Sequence, residues 1–189
     1  MWLATLVLPN SILAQNNSNL LTHCQPTESV QFSCRVGIKI VSLCGGNTGD
    51  RITSLSYRYG AIGKIEKEFV ARPENTRRFY GTVGPLNPRA SLGQIWFDQG
   101  KFRYLMTACT GGNCPQHAGL AVIHNFTRIL MNVPCARFTN DDFDSFRPDL
   151  VTFGSGVETT RSATELLIIE EIGGHDIHQL FPVKGGPLW

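Results

Sequence analysis

A mainly β fold, an antiparallel barrel or sandwich crosslinked by disulfides and carrying one or two short helices, is what this sequence predicts. Three observations carry the expectation. Segments with apolar residues at every second position recur between glycine-marked turns. Six cysteines stand in a chain that opens on an apolar leader, a combination that points to an oxidising compartment. A length of 189 residues with 42% hydrophobic residues supports one well-buried core and is short for two.

Residues 30–70 organise the rest, reading as three or four strands punctuated by Cys34 and Cys44. The turn around Gly37 leads into a strand over residues 38–44 whose two faces, Ile38 and Ile40 against Val41 and Leu43, are both apolar, as befits a central strand. Over residues 53–59, Thr53, Leu55, Tyr57 and Tyr59 share one face, and Ser54, Ser56 and Arg58 the other. Pairing this strand with residues 65–70 across a loop of Gly60, Ala61, Ile62, Gly63 and Lys64 sets Tyr59 opposite Ile65, Leu55 opposite Phe69 and Arg58 opposite Glu66. A one-residue slip would bring Glu66 and Glu68 onto the apolar face.

Further along, residues 72–91 hold three prolines and many polar side chains, and read as a long connection or edge excursion. Residues 94–98 and 101–109 form a hairpin pattern with Gly100 at the turn. Strands over residues 120–124 and 128–133 follow, with Asn125 and Phe126 between them. Residues 139–146 suit a short helix with acidic residues in its first turn. Ser162 and Glu165 stand at capping-box spacing before an apolar run, so a docked helix is the first reading there, and the β-branched Ile168 and Ile169 make a strand its competitor. From about residue 155 the tail is irregular.

Residues 1–14 have the short apolar run and small-residue end of a secretory signal with a shortened start, cleaved after Ala14, which leaves residues 15–189 as a single β-rich domain. The run is too short to span a bilayer. A formal charge of +2 and 17% charged residues, with no basic run interleaved with aromatics, argue against a nucleic-acid surface. These features place the protein in the periplasm or outside the cell.

The most specific local feature is CTGGNCPQH at residues 109–117. A Cys109–Cys114 disulfide would close a small ring over Thr110, Gly111, Gly112 and Asn113, with the glycines letting the backbone bend. The sharper alternative makes Cys109, Cys114 and His117 zinc ligands, with Cys135 as a fourth. The disulfide is the simpler reading in an exported chain, and it leaves three pairings open among Cys24, Cys34, Cys44 and Cys135. His175 and His178 lack a third ligand nearby, so no metal or other cofactor is expected. No G-x-S-x-G occurs, and the adjacent Glu170 and Glu171 point to different faces of either helix or strand, so no catalytic residues are assigned.

The segments FSCRVGIKIVSLCGG and LSYRYGAIGKIEKEF, followed by KFRYLMTAC and AGLAVIHNFTRILMNVPCA, resemble a group of small exported bacterial proteins of unknown function. The resemblance runs from about Cys34 to Asp142 and implies a β-rich exported protein with no established activity. The expected function is that of a non-enzymatic binding protein of the bacterial envelope, such as an inhibitor of, or immunity factor against, a cell-wall hydrolase or toxin. Its partner would be a protein, not a nucleic acid. An envelope hydrolase with a site assembled from distant residues, or a structural or assembly factor, are the competing readings. The ring resembles, as a device, the disulfide-closed loop of periplasmic lysozyme inhibitors, which makes Thr110, Asn113 and His117 the candidate contact residues.

Overall fold

The computed structural model describes residues 21–48, 51–111, 118–136 and 166–169. Among them ten strands form two sheets, and the fold is a disulfide-crosslinked β-sandwich. Strands β1 (Glu28–Val36), β2 (Lys39–Thr48), β3 (Arg51–Ala61) and β4 (Lys64–Ala71) make a four-stranded antiparallel meander. Strands β5 (Phe79–Asn87), β6 (Ala90–Gln99), β7 (Phe102–Gly111), β8 (Ala118–His124) and β9 (Arg128–Pro134) continue as a second meander. The short β10 (Leu167–Ile169) adds to its edge beside β5 as the one parallel pairing among the described strands.

The core forms because alternation puts one face of each sheet against the other. Phe32, Leu43, Tyr57 and Phe69 from the first sheet meet Phe79, Phe97, Met106 and Leu120 from the second. Phe97 is the centre: Phe69 stacks on it at 4.1 Å between centroids, and Tyr57 tilts against it at 4.9 Å. Burying side chains of this size stabilises the fold by roughly 1.5–3 kcal/mol each relative to leaving them exposed. The other face of the six-stranded sheet is also buried, with Trp96, Leu105, Ala121 and Ile123 forming a second apolar cluster.

Residues 30–70 account for nearly all of the four-stranded sheet, with β2 central as its apolar faces require. Leu55 and Tyr57 lie in the core and Tyr59 packs against it. Their polar neighbours Ser56 and Arg58 are buried too, because the lead-in, residues 21–24, lies along the outer face.

The β3–β4 register differs from the expected one by two residues. Tyr57 pairs with Phe69, Leu55 with Ala71, and Arg58 with Glu68. The loop is the two-residue Ile62–Gly63, with Gly63 at φ 75°, and a bulge between Tyr59 and Gly60 leaves Glu66 without an opposite residue. A two-residue turn alone would have put the wrong parity on the strand; the extra residue of the bulge restores it. Ile38, expected on a strand face, sits instead in the two-residue β1–β2 turn beside Gly37, at φ 62°.

Residues 72–91 are not one long excursion. A short turn, in which the Asn75 side chain accepts from the amides of Arg72 and Arg77, leads into β5, and β6 begins at Ala90. Phe79 and Tyr80 supply the strand-forming side chains, and the irregularity between Pro85 and Asn87 accommodates the proline near the strand's end. The helix expected after Ser162 gives way to strand β10 over Leu167–Ile169, where pairing with Phe79, Tyr80 and Gly81 overrides the capping pattern. The hairpins at Gly100 and at Asn125 and Phe126 form as expected. Residues 1–14, the helix at 139–146 and His175 and His178 lie outside the described residues.

Candidate binding end of the sandwich

The connection carrying the candidate contact residues leaves β7 and returns into β8. Cys109 is 1% exposed, sits near the end of β7 opposite Leu92, and is disulfide-bonded. Thr110 and Gly111 continue the strand against Ser91 and Ala90. Gly111 has φ 110°, and a Cβ there would stand 2.0 Å from the Arg89 carbonyl oxygen, so only glycine fits. Cys114, Asn113 and His117 lie outside the described residues, as does most of the expected ring.

On the return side, β8 begins at Ala118, whose carbonyl accepts from the Cys135 amide at 2.9 Å. Cys135 is bonded to Cys34 of β1, and next to it the Ala136 amide donates to the Arg35 carbonyl at 2.7 Å. One disulfide and one β-bridge therefore join the two sheets where the 112–117 connection emerges. The second described disulfide, Cys24–Cys44, ties the lead-in to the outer face of β2. With Cys109 and Cys135 in disulfides, the zinc reading of the CTGGNCPQH segment fails, because a thiolate is what the metal would need.

The same end of the four-stranded sheet carries two neighbouring hairpin tips. Lys39 at the start of β2 pairs with Ala61 at the end of β3, which sets Gly37–Ile38 beside Ile62–Gly63. Ile38 is 79% and Ile62 69% exposed, and Ile65 is exposed beside them. Lys39 Nζ donates to Glu66, and this hydrogen bond raises the lysine pKa and lowers that of the carboxylate. Arg35 Nε donates to the Gly37 carbonyl at 2.9 Å. Sequence reading marked the turn at Gly37 and placed Ile62 and Gly63 in a loop, but it assigned Ile38 to a strand and so did not bring the two tips together. The signal was present in the paired motifs Gly37-Ile38-Lys39 and Ile62-Gly63-Lys64.

Another charged group of the four-stranded sheet holds it together. Arg58 binds Glu28 and Glu68 and also donates to the His23 carbonyl. Burial pushes the Tyr57 phenol far above its ordinary range, so it is no acid or base near neutrality. Among the described residues the one group of three metal-type side chains is Cys24, Glu28 and Cys44, and both of its thiols are joined in a disulfide. No helix among the described residues is long and apolar enough to cross a membrane. No family model, curated protein or solved structure matches the chain.

Proposed function

We propose that this chain is a non-enzymatic binding protein of the bacterial envelope, periplasmic or secreted, that engages a protein partner through the loop joining β7 to β8. One observation carries the reading: both ends of that loop are held in a rigid frame. Cys109 is disulfide-bonded and buried, Gly111 is fixed against Arg89, and Ala118 is tied through Cys135 to Cys34 of the opposite sheet. A loop launched from such a frame has less conformational freedom to lose on binding, so more of its contact energy appears as affinity. That property suits an inhibitor of, or immunity factor against, a cell-wall hydrolase or toxin. The disulfides favour an oxidising compartment for folding.

The test is a pull-down from envelope extract with the wild-type protein and an N113A/H117A variant, alongside thermal melts of both. The expected result is a partner retained by the wild type and lost by the variant at nearly equal melting temperature. Equal retention by both proteins would overturn the assignment of the loop as the contact surface.

A further inference from the structure

The two hairpin tips at the β1–β2 and β3–β4 turns leave Ile38 and Ile62 largely exposed. Gly37 and Gly63 have nothing within 4 Å of where a Cβ would stand, so the turns project into open space. Two strand spacings separate the tips, or about 10 Å, so Ile38 and Ile62 can reach one plane together. Among the described residues, Arg35, Lys39 and Lys64 stand around them, against which Glu66 is the one carboxylate, and its hydrogen bond goes to Lys39. Glu68, the next acid along β4, is turned to Arg58 on the outer face. The end therefore presents exposed aliphatic side chains ringed by net positive charge.

We infer that this end docks on an anionic lipid surface, with Ile38 and Ile62 entering the headgroup boundary and Arg35, Lys39 and Lys64 meeting the lipid phosphates. The charge sign selects the surface, because basic residues beside an apolar tip are attracted to anionic headgroups and the attraction falls with salt. The shape selects lipid over protein. Two narrow convex turns offer neither a pocket nor the aromatic anchors on which protein interfaces concentrate their binding energy. At the far end of the six-stranded sheet the exposed rings are already engaged: Arg103 lies 5.0 Å over Phe126, and Phe102 packs against His124 at 5.0 Å. Nothing comparable covers Ile38 or Ile62 among the described residues. Because the Cys34–Cys135 bond and the Arg35–Ala136 bridge place the β1–β2 tip at the end where the 112–117 connection emerges, docking there would hold that loop close to the membrane.

The experiment is co-sedimentation of the full chain with vesicles of phosphatidylcholine alone and of equal parts phosphatidylcholine and phosphatidylglycerol, at low and high salt. Binding is expected to the phosphatidylglycerol vesicles only and to weaken at high salt. The I38N/I62N variant should bind about tenfold or more weakly, since each apolar tip supplies part of a marginal affinity. K64Q should weaken binding less and reduce its salt dependence. Both tip positions are exposed, and an unchanged melting temperature confirms that the variants fold. The inference is overturned if the wild type ignores phosphatidylglycerol vesicles, binds both vesicle types alike, or is matched by I38N/I62N. It stands apart from the partner reading, because N113A/H117A should still sediment with the vesicles.

Discussion

Arg58 in β3 grips Glu28 at the start of β1 through two nitrogens, Nη1 to Oε2 at 2.5 Å and Nη2 to Oε1 at 2.9 Å, while its Nε donates to Glu68 at 2.8 Å. The Arg58 and Glu28 side chains are only 9% and 11% exposed, so the pair spans the outer face of β2 in a largely desolvated setting. Glu28 also accepts from the Gln25 amide at 2.7 Å, and Arg58 Nη1 donates to the His23 carbonyl at 3.2 Å. The pair thus fixes the course of the lead-in across the sheet. Removing one partner of a buried pair strands the other, which costs about 3–5 kcal/mol. Arg58→Met is therefore expected to destabilise the protein by about 3 kcal/mol in urea unfolding, and Glu68→Gln, whose carboxylate is much more exposed, by well under 1 kcal/mol.

The same pair predicts an acid limb. Burial pulls the Glu28 pKa upward, but the Arg58 hydrogen bond, the Gln25 amide and the Arg58 charge together outweigh it and hold the carboxyl below its ordinary value of 4.5. A pKa lowered by folding contributes stability that is fully present above the unfolded-state value and lost as pH falls through the folded-state value. Unfolding free energy should accordingly hold steady near neutrality and decline below about pH 4.5. Glu28→Gln should lower the neutral plateau and flatten this decline. Denaturation series at successive pH values check both, and an unchanged acid limb in the variant would refute the assignment to Glu28.

The two described disulfides should differ in weight. Cys34–Cys135 closes a separation of 101 residues and Cys24–Cys44 one of 20. Chain-entropy scaling assigns about 4.7 kcal/mol to the former and about 3.3 kcal/mol to the latter. Paired alanine replacements at Cys34 and Cys135 should therefore cost more than those at Cys24 and Cys44. The latter pair should also raise hydrogen exchange in the lead-in selectively, where His23 holds its place through its amide on Ser42 and its ring on the Gly60 carbonyl.

What could be read in the sequence was local. Alternation over residues 53–59 identified the core face of β3, and Gly100 and the Asn125–Phe126 pair marked real turns. What escaped was set by contacts distant in the chain. Ser56 and Arg58 read as the polar face of the strand, and nothing in β3 announces that residues 21–24 lie over that face and bury them. Leu167–Ile169 is a strand because β5 offers it an edge, which no capping pattern encodes. The cysteine pairing waited on the packing of the two sheets, since Cys34 and Cys135 lie in different halves of the chain. At the candidate site, a disulfide at Cys109 and a bendable glycine at 111 were marked in the sequence, but the anchoring of Ala118 through Cys135 to Cys34 was not. The exposure of Ile38 was not, because an isoleucine beside a turn looks the same as one that begins a strand.

The β3–β4 bulge, which that local reading passed over, supplies a sharper test of how the sheet is built. Gly60 pairs with Ile65, and a Cβ added to it would meet the Lys64 carbonyl oxygen at 2.1 Å and the Glu66 amide nitrogen at 2.8 Å. Both are backbone atoms held by the hairpin, so no side-chain rotation can relieve the clash. Gly37 also has a positive φ, 62°, but has no neighbour within 4 Å of that position. Gly37→Ala should then cost only the left-handed backbone penalty of about 1 kcal/mol. Gly60→Ala should cost roughly 3 kcal/mol, because the bulge must shift or open. If the bulge opens, the strand slips by one residue and Tyr57 loses Phe69 as its cross-strand partner, exposing apolar surface from the core. Urea melts of the two variants, with a hydrophobic dye reporting exposed core, distinguish the outcomes. Equal and small losses for both would mean that the bulge does not hold this register.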